Sequence, residues 1–476
     1  MKKVFLISYF LFLISYFFSC RKDLLLTDSS AKLEFSEDTI IFDTVFTTVG
    51  SVTKYLKVYN RHSRSVKISS IRIARAGASN FRMNVDGVAS SSVSDIILRA
   101  DDSLFIMVEV TVNPNSGTNP LVITDSIIFE TNGNLQDVDL AAWGQDAYFY
   151  YYPVFGDYVL NNIKPHVFYG YGIVDSAATL TINSGAKIYF HKNSGLIIYK
   201  DATLKVNGTV DNPVVFQGDR LEYSYNDISG QWDRIWLFPT SKNNEINYAV
   251  IKNGNIGLQV DTNGSNFLIP TVKIANTIIQ NMSGVSLFGE GAYIDAANCI
   301  FANAGQYSAA LVYGGKYKFT HCTFANYWKG GKRDTPLLLL NNYYKDANEN
   351  IQIRSLEKAD FENCIIYGSN TNEIKLDQNS AGNFNYTFNY CILKTDINTS
   401  DATRFINIIL NPAFVTVDDE LHDPVFNNAA ENDYHLFSLS GAIDKGNPVL
   451  TDTLTKDLDG KMRDSQPDLG ALEYIP

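Results

Sequence analysis

The sequence predicts an all-β protein, a β-sandwich followed by a right-handed parallel β-helix. Three observations carry this. Tyr, Phe, Val, Ile and Thr are plentiful beside Asn, Asp and Gly, a balance that favours strands and turns. The N-terminal third alternates apolar and polar residues with period two. The second half repeats one short phrase, as in "AANCIFAN", "FTHCTFAN", "FENCIIYG" and "FNYCILKT".

The chain has 476 residues, enough for two or three domains, and a formal net charge of -12. Phosphate binding needs clustered Lys and Arg, and no basic stripe occurs, so nucleic acid is excluded as a main partner. Residues 1–19 read as a signal peptide: Lys2 and Lys3 precede an apolar run, Val4 to Phe18, too short to span a bilayer. Ser19 before Cys20 resembles the lipobox of bacterial lipoproteins, although Phe17 stands where Leu is usual. That resemblance implies acylation of Cys20 and a membrane partner through the lipid. The charged "RKD" that follows resembles tracts that route lipoproteins to the cell surface, and cleavage by ordinary signal peptidase is the alternative. Residues 20–32 read as a linker.

Residues 33–146 are expected to form the sandwich. Leu104, Ile106, Val108, Val110 and Val112 keep strict period two, the mark of a half-buried strand. Seven or so such runs fit two packed sheets. The order of "VYN", "DDSLFIMVEV" and "LAAWGQ" resembles immunoglobulin-like modules of the abnormal-spindle/hydin type. No candidate for chemistry appears here, and spacer or adhesion duty is the expectation.

Residues 147–440 are expected to form the β-helix with an N-terminal cap. The recurring small residues are Ala249, Thr277, Cys299, Cys322, Cys364 and Cys391, spaced 28, 22, 23, 42 and 27 apart. A large apolar residue follows two positions later, and then Asn253, Asn281, Asn303, Asn326 or another turn residue. Small and large positions two apart face the same way from a strand. If each period is one coil, equivalent positions stack at about 4.8 Å, and the asparagines form a ladder of αL turns. Such ladders are similar to those of pectate-lyase-like proteins. The 42-residue gap suggests an extra rung around "TPLLLLNNYY", and about a dozen rungs are expected. A position that accepts Ala, Thr and Cys selects small buried residues, so the cysteines read as free thiols in the core. A Cys299–Cys322 disulfide and a metal site are the alternatives. "AYFYYYPVF", Ala147 to Phe155, reads as a linker sealing the open end of the solenoid, with an aromatic carbohydrate platform as the alternative.

"NGTVDNPVVFQGDR", "GQWDRIWLFPTSKNNEINYAVIKNG" and "HCTFANYW" resemble the right-handed parallel β-helix repeat lipoproteins of Gram-negative bacteria, of pectin-lyase-like fold. "DKGNP" and "DLDGKMRDSQPDLGALEY" resemble the C-terminal signature known as choice-of-anchor Q, which implies that residues 441–476 cap the solenoid. The family implies a cell-envelope location, at the outer membrane or cell surface, and no assigned activity. "DTI", "DTV", "DSL" and "DSI" are similar to the sequon for envelope O-glycosylation in some Gram-negative bacteria.

Three constellations are candidate sites. Asp219, Arg220, Asp233 and Arg234 could bind a uronate or act as acid and base, or could be ion pairs at rung turns. His321 occupies the polar slot before a small residue, followed at a distance by Lys332, Arg333 and Asp334. It could line a groove or stack as a structural residue. Asp457, Asp459, Asp468 and Glu473 could chelate calcium, or form a capping turn in which Arg463 neutralises the acids. No other cofactor is expected. The phrases typical of polygalacturonase-like hydrolases and pectate lyases are absent. The leading expectation is a noncatalytic stalk or module that binds a polysaccharide or an envelope protein. The alternative is a polysaccharide lyase or glycoside hydrolase on the same fold.

Overall fold

The computed structural model describes residues 25–475 except 114–120, 263, 265–266, 418–419 and 452. Cys20 and the signal peptide lie outside the described residues. The chain divides into two compact units, 1–146 and 147–476.

The first unit is a β-sandwich of two five-stranded sheets. One sheet orders its strands Glu34–Phe35, Lys54–Tyr59, Ser103–Val110, Phe81–Val85 and Val88–Ala89. The other runs Thr39–Phe46, Asn134–Gln145, Leu121–Thr131, Val66–Ile73 and Ser92–Leu98. Pairing is antiparallel except between Thr39–Phe46 and Asn134–Gln145, which are parallel. Leu104, Ile106, Val108 and Val110 enter the core while Phe105 and Met107 stay exposed, as period two demands.

The second unit is a parallel β-helix built on three sheets of eleven, nine and ten strands. Among the described residues, the first nine rungs each contribute, in chain order, one strand to sheet 1, one to sheet 2 and one to sheet 3, and the last two are partial. Sheet 1 begins with Tyr148–Tyr151 and ends with Ile409–Leu410. The core is made of stacked columns of like residues. Ile188, Phe216, Ile251, Ile279, Phe301, Phe324, Ile366 and Leu393 pair rung to rung along sheet 1, all buried. Stacking large apolar side chains on one another lets each interior layer pack against the next. Eleven strands at strand spacing give a sheet on the order of 50 Å long.

Four expectations need correction. Ala147 to Phe155 is not a linker: Tyr148–Tyr151 and Val154–Phe155 are strands of the first rung, with Tyr150 and Phe155 packing on Phe168. "TPLLLLNNYY" holds no extra rung. Leu338–Asn341 is the sheet 2 strand of a rung already begun by Thr323–Asn326, and the surplus length is the hairpin Tyr343–Lys345/Ile351–Ile353. The solenoid accordingly has about ten rungs rather than a dozen.

Residues 441–476 do not close the end of the solenoid. They run back along the outside of sheet 1, over rungs well before the last. Asn298 donates to the Lys456 carbonyl, Gly470 N–H donates to Asn363 O, and Ala471 N–H donates to Thr323 Oγ1. Beneath them is an outward column that a solvated sheet would not tolerate. Ile278, Ile300, Thr323, Ile365, Ile392 and Ile409 pair in register. Val425, Phe426, Leu469, Ala471 and Leu472 pack on it to form a separate hydrophobic cluster.

Candidate functional site

The turn from sheet 3 to sheet 1 is structural. Tyr248, Asn276, Asn298, His321, Asn363 and Tyr390 all adopt positive φ there, between 48° and 53°. The small residue after each is buried. Thr277 Oγ1 donates to Ala275 O at 2.7 Å, and Cys299 Sγ to Ala297 O at 3.1 Å. Cys322, Cys364 and Cys391 do the same to the carbonyl two residues back. The slot thus takes a small buried side chain, Ala249 included, and where that side chain can donate it bonds the turn. All four cysteines are free, and burial pushes the Cys299 and Cys364 thiols up.

His321 lines no groove. It is fully buried, with Nδ1 3.3 Å from Gly470 O and Nε2 2.9 Å from Thr451 Oγ1, inside the contact with the C-terminal segment. Burial, then Arg463, hold it well below the usual imidazole range. Arg333 is buried in a bidentate pair with Glu373 at 2.8 and 2.6 Å, while Lys332 and Asp334 pair on the surface. The C-terminal carboxylates are engaged by the chain. Asp457 accepts from Lys461 N–H and Glu473 N–H, Asp468 from Asp444 N–H and Tyr474 N–H, and Glu473 pairs with buried Arg463 at 2.9 Å. Asp459 pairs with His435 and Lys461. Burial raises Asp468 to about 6.

The Asn ladder lies at the turn from sheet 1 to sheet 2. Asn253, Asn281 and Asn303 are in αL, and Asn281 Nδ2 donates to Asn253 Oδ1 at 2.7 Å. Asn326 departs from the ladder: it keeps strand geometry and donates to Ala304 O at 2.9 Å.

The same corner, with the outer face of sheet 2 beside it, gathers the remaining candidates into two groups. Tyr151 stacks on Tyr169 at 5.0 Å, and Tyr169 stacks on His191 at 4.6 Å. His191 Nδ1 meets Asp219 Oδ2 at 2.7 Å. Tyr151 is 66% exposed and the His191 side chain 47%, whereas Asp219 is buried. Burial raises the Asp219 pKa, with His191 opposing. Arg220 turns away to Glu222, at 2.6 Å. Gly170, at φ 79°, makes room for the Tyr152 ring, which a Cβ there would strike.

The second group runs across the outer face of sheet 2. Tyr171 OH donates to Asp233, which also pairs with Arg234 at 3.0 Å. Arg234 Nη1 donates to Gln259 Oε1 at 2.6 Å, Gln259 donates to Asp261 at 3.0 Å, and Trp236 Nε1 donates to the other Asp261 oxygen at 2.7 Å. Burial works to raise Asp233, but hydrogen bonds from Tyr171 and Arg234 outweigh it and the carboxyl sits low. Asp261 is raised by burial, and Glu290, its partner on the next rung, is raised by burial and then by Asp261. Glu290 makes no side-chain hydrogen bond among the described residues. The surface therefore offers ring faces, fixed acceptors and one guanidinium already neutralised.

Asp219, Asp233 and Arg234 are among the candidates read from the sequence. Tyr151 belongs to the aromatic run whose alternative reading is a carbohydrate platform, and Tyr169, His191, Gln259 and Glu290 are not among the candidates. The aromatic run from Ala147 to Phe155 is the one available signal for the ring stack. Without the register it does not tell which of its rings meets Tyr169.

No family model matches the chain, and no curated protein matches it. Solved structures resemble about a quarter of it. Among them is the ASH/PapD-like domain of human CEP192, at 10% identity, covering 25% of this chain and 87% of that one, with a TM-score of 0.18. Another is the E. coli chaperone DraB, at 10% identity, covering 23% of this chain and 54% of that one, with a TM-score of 0.17. A third is a protein of unknown function from Porphyromonas gingivalis W83, at 13% identity, covering 27% and 57%, with a TM-score of 0.18.

Proposed function

We propose that this is a lipid-anchored cell-envelope protein whose β-helix binds a polysaccharide along the sheet 1–sheet 2 corner and the outer face of sheet 2. The observation that carries the reading is the pairing of stacked, partly exposed rings with a continuous polar chain. Tyr151, Tyr169 and His191 form the stack, and Tyr171–Asp233–Arg234–Gln259–Asp261–Trp236 forms the chain. Rings offer apolar faces with polar rims, and carboxylate and amide oxygens accept from sugar hydroxyls. The repeated rungs present these groups on an extended lateral surface, the usual binding face of solenoids. Acylation at Cys20 and the envelope location rest on the lipobox-like sequence and the β-helix repeat resemblance. The choice-of-anchor Q resemblance of the C-terminal segment supports the same placement.

The test is retention of the mature chain on a panel of plant, host and bacterial polysaccharides. Retention without new reducing ends or unsaturated uronate supports the reading, and Tyr169→Ala with Trp236→Ala should abolish it. A second reading has one specific support. His191 is oriented by buried Asp219, and its other nitrogen makes no hydrogen bond among the described residues, the arrangement of a general base. Product release from any polymer, lost in His191→Ala, would replace the binding module with a lyase or hydrolase.

A further inference from the structure

A small pocket opens on the Asn ladder, at rungs later than the ring stack. Three segments distant in sequence build it: the excursion around Asp227–Ser229, the loop after Asn326 that carries Trp328, and the C-terminal stretch around Asn432. Its volume is about 140 Å³. That is below the range of about 300–1,000 Å³ usual for drug-sized ligands, and several times the roughly 30 Å³ share of one water. It suits a single small ring.

The walls are held in place. Asn281 Nδ2 donates to Asp227 O at 2.9 Å as well as to Asn253, so the excursion is pinned to the ladder. Asn303 Nδ2 donates to Asn432 Oδ1 at 2.5 Å, and its own Oδ1 accepts from Tyr327 N–H at 2.8 Å. Trp328 lies against Gly305 and Gly330. A Cβ on Gly330 would collide with the indole, so the ring packs directly on that backbone.

Several polar atoms remain unengaged. Among the described residues nothing pairs with the Asp227 carboxylate, the Ser229 hydroxyl, the Asn281 carbonyl oxygen or the Trp328 indole N–H. Three of these four are acceptors, and Ser229 can also donate. Among the described residues, Lys329 is the one cation that lines the pocket, and it is exposed and pairs with Glu431 at 3.3 Å. An anionic ligand would meet Asp227 and Glu431 with no free cation to offset them. A neutral ligand rich in hydroxyl donors, with one apolar face for the indole, satisfies the set.

We infer that this pocket is a binding site for a single neutral sugar ring, a chain end or a branch, recognised by Trp328, Asp227, Ser229 and Asn281. The site deepens the glycan-binding reading and rests on it, and it uses none of the residues of the sheet 2 face. The test is saturation-transfer NMR and tryptophan fluorescence on the mature chain. Free glucose, galactose, mannose and N-acetylglucosamine serve as probes, with glucuronate as the charged control. At least one neutral sugar should bind and glucuronate should not. Trp328→Ala and Asp227→Asn should each weaken binding about tenfold or more, as expected for an anchoring contact. Tyr169→Ala should leave it unchanged. Because Trp328→Ala could unseat the loop, the exposed Asp227→Asn is the variant that keeps the test sound. Binding of none of the neutral sugars, binding of glucuronate as tight, or binding unchanged in Asp227→Asn and Trp328→Ala would each overturn the site. Polymer retention lost in Tyr169→Ala and Trp236→Ala with monosaccharide binding intact would separate this pocket from the lateral face. The converse pattern would sink the pocket alone.

Discussion

At the scale of single residues, the strongest commitments are buried charges. Arg333 and Glu373 are removed from solvent together, and each satisfies the other twice. Removing one partner leaves the other charge uncompensated, which costs about 3–5 kcal/mol. Arg333→Met should therefore lower stability by that amount in chemical denaturation, and Arg333→Met with Glu373→Leu should recover most of it. His435 is a different case. It bridges Asp433 at 2.5 Å and Asp459 at 2.9 Å, and these bonds raise it to about 9. A raised folded pKa contributes stability that is complete below the unfolded value near about 6.5 and fades as pH rises through about 9. Asp433 and Asp459 are both held low, so their share is lost as pH falls below the ordinary carboxylate range. Protection of the Asp433–Leu436 amides in hydrogen exchange should thus be greatest between the carboxylate range and about pH 6.5, and should fall towards pH 9. His435→Asn should remove that dependence. The four solenoid cysteines, Cys299, Cys322, Cys364 and Cys391, should resist a thiol reagent until the solenoid unfolds, because all four are buried without contact with solvent.

At the scale of elements, register explains what residue types alone do not. The outward column of sheet 3 reads Thr181, Lys205, Glu245, Lys273, Asp295, Lys318, Asp360 and Thr387. Parallel stacking sets each side chain beside its neighbours on adjacent rungs, so like charges would repel along the whole axis. Alternation turns that repulsion into attraction at each step, as with Lys205 and Glu245 at 2.9 Å. Lys273→Glu should place three acids in succession and cost a few tenths to about 1 kcal/mol per pair in chemical denaturation. The loss should shrink at high salt. This column is invisible in the sequence because its members lie 22 to 42 residues apart and only the rung alignment brings them together. The fold itself is legible from the small–any–large phrase, since core stacking repeats within the strand. The middle position of that phrase reads Ile278, Ile300, Thr323, Ile365 and Ile392. An apolar run facing outward is the available sign that something covers sheet 1. The C-terminal segment covers it. The expectation of an end cap fails there because a resemblance describes which segment comes last and not which surface it lies on. The site is half legible: Asp219, Asp233 and Arg234 stand out as charges among strands. Tyr151, Tyr169 and His191 come together only through the turn at Gly170 and the register of sheet 1.

At the scale of the whole molecule, the chain combines an N-terminal sandwich with a solenoid whose three faces are committed differently. The later rungs of sheet 1, from Ile278 to Ile409, are covered by the chain's own C-terminal segment, and sheet 3 carries the alternating charges. Sheet 2, with its corner to sheet 1, keeps rings and acceptors accessible. A chain ending before Val425 should expose the apolar column of sheet 1. It should bind a hydrophobic dye and self-associate in sedimentation, while its rungs keep their circular dichroism. The most direct test of the glycan reading is hydroxyl-radical footprinting of the intact mature protein with and without a retained polysaccharide. Protection is predicted at Tyr151, Tyr169 and Trp236, with the sheet 3 column and the sandwich unchanged. Protection at the sandwich or sheet 3, with Tyr151, Tyr169 and Trp236 equally reactive in both states, would contradict the account.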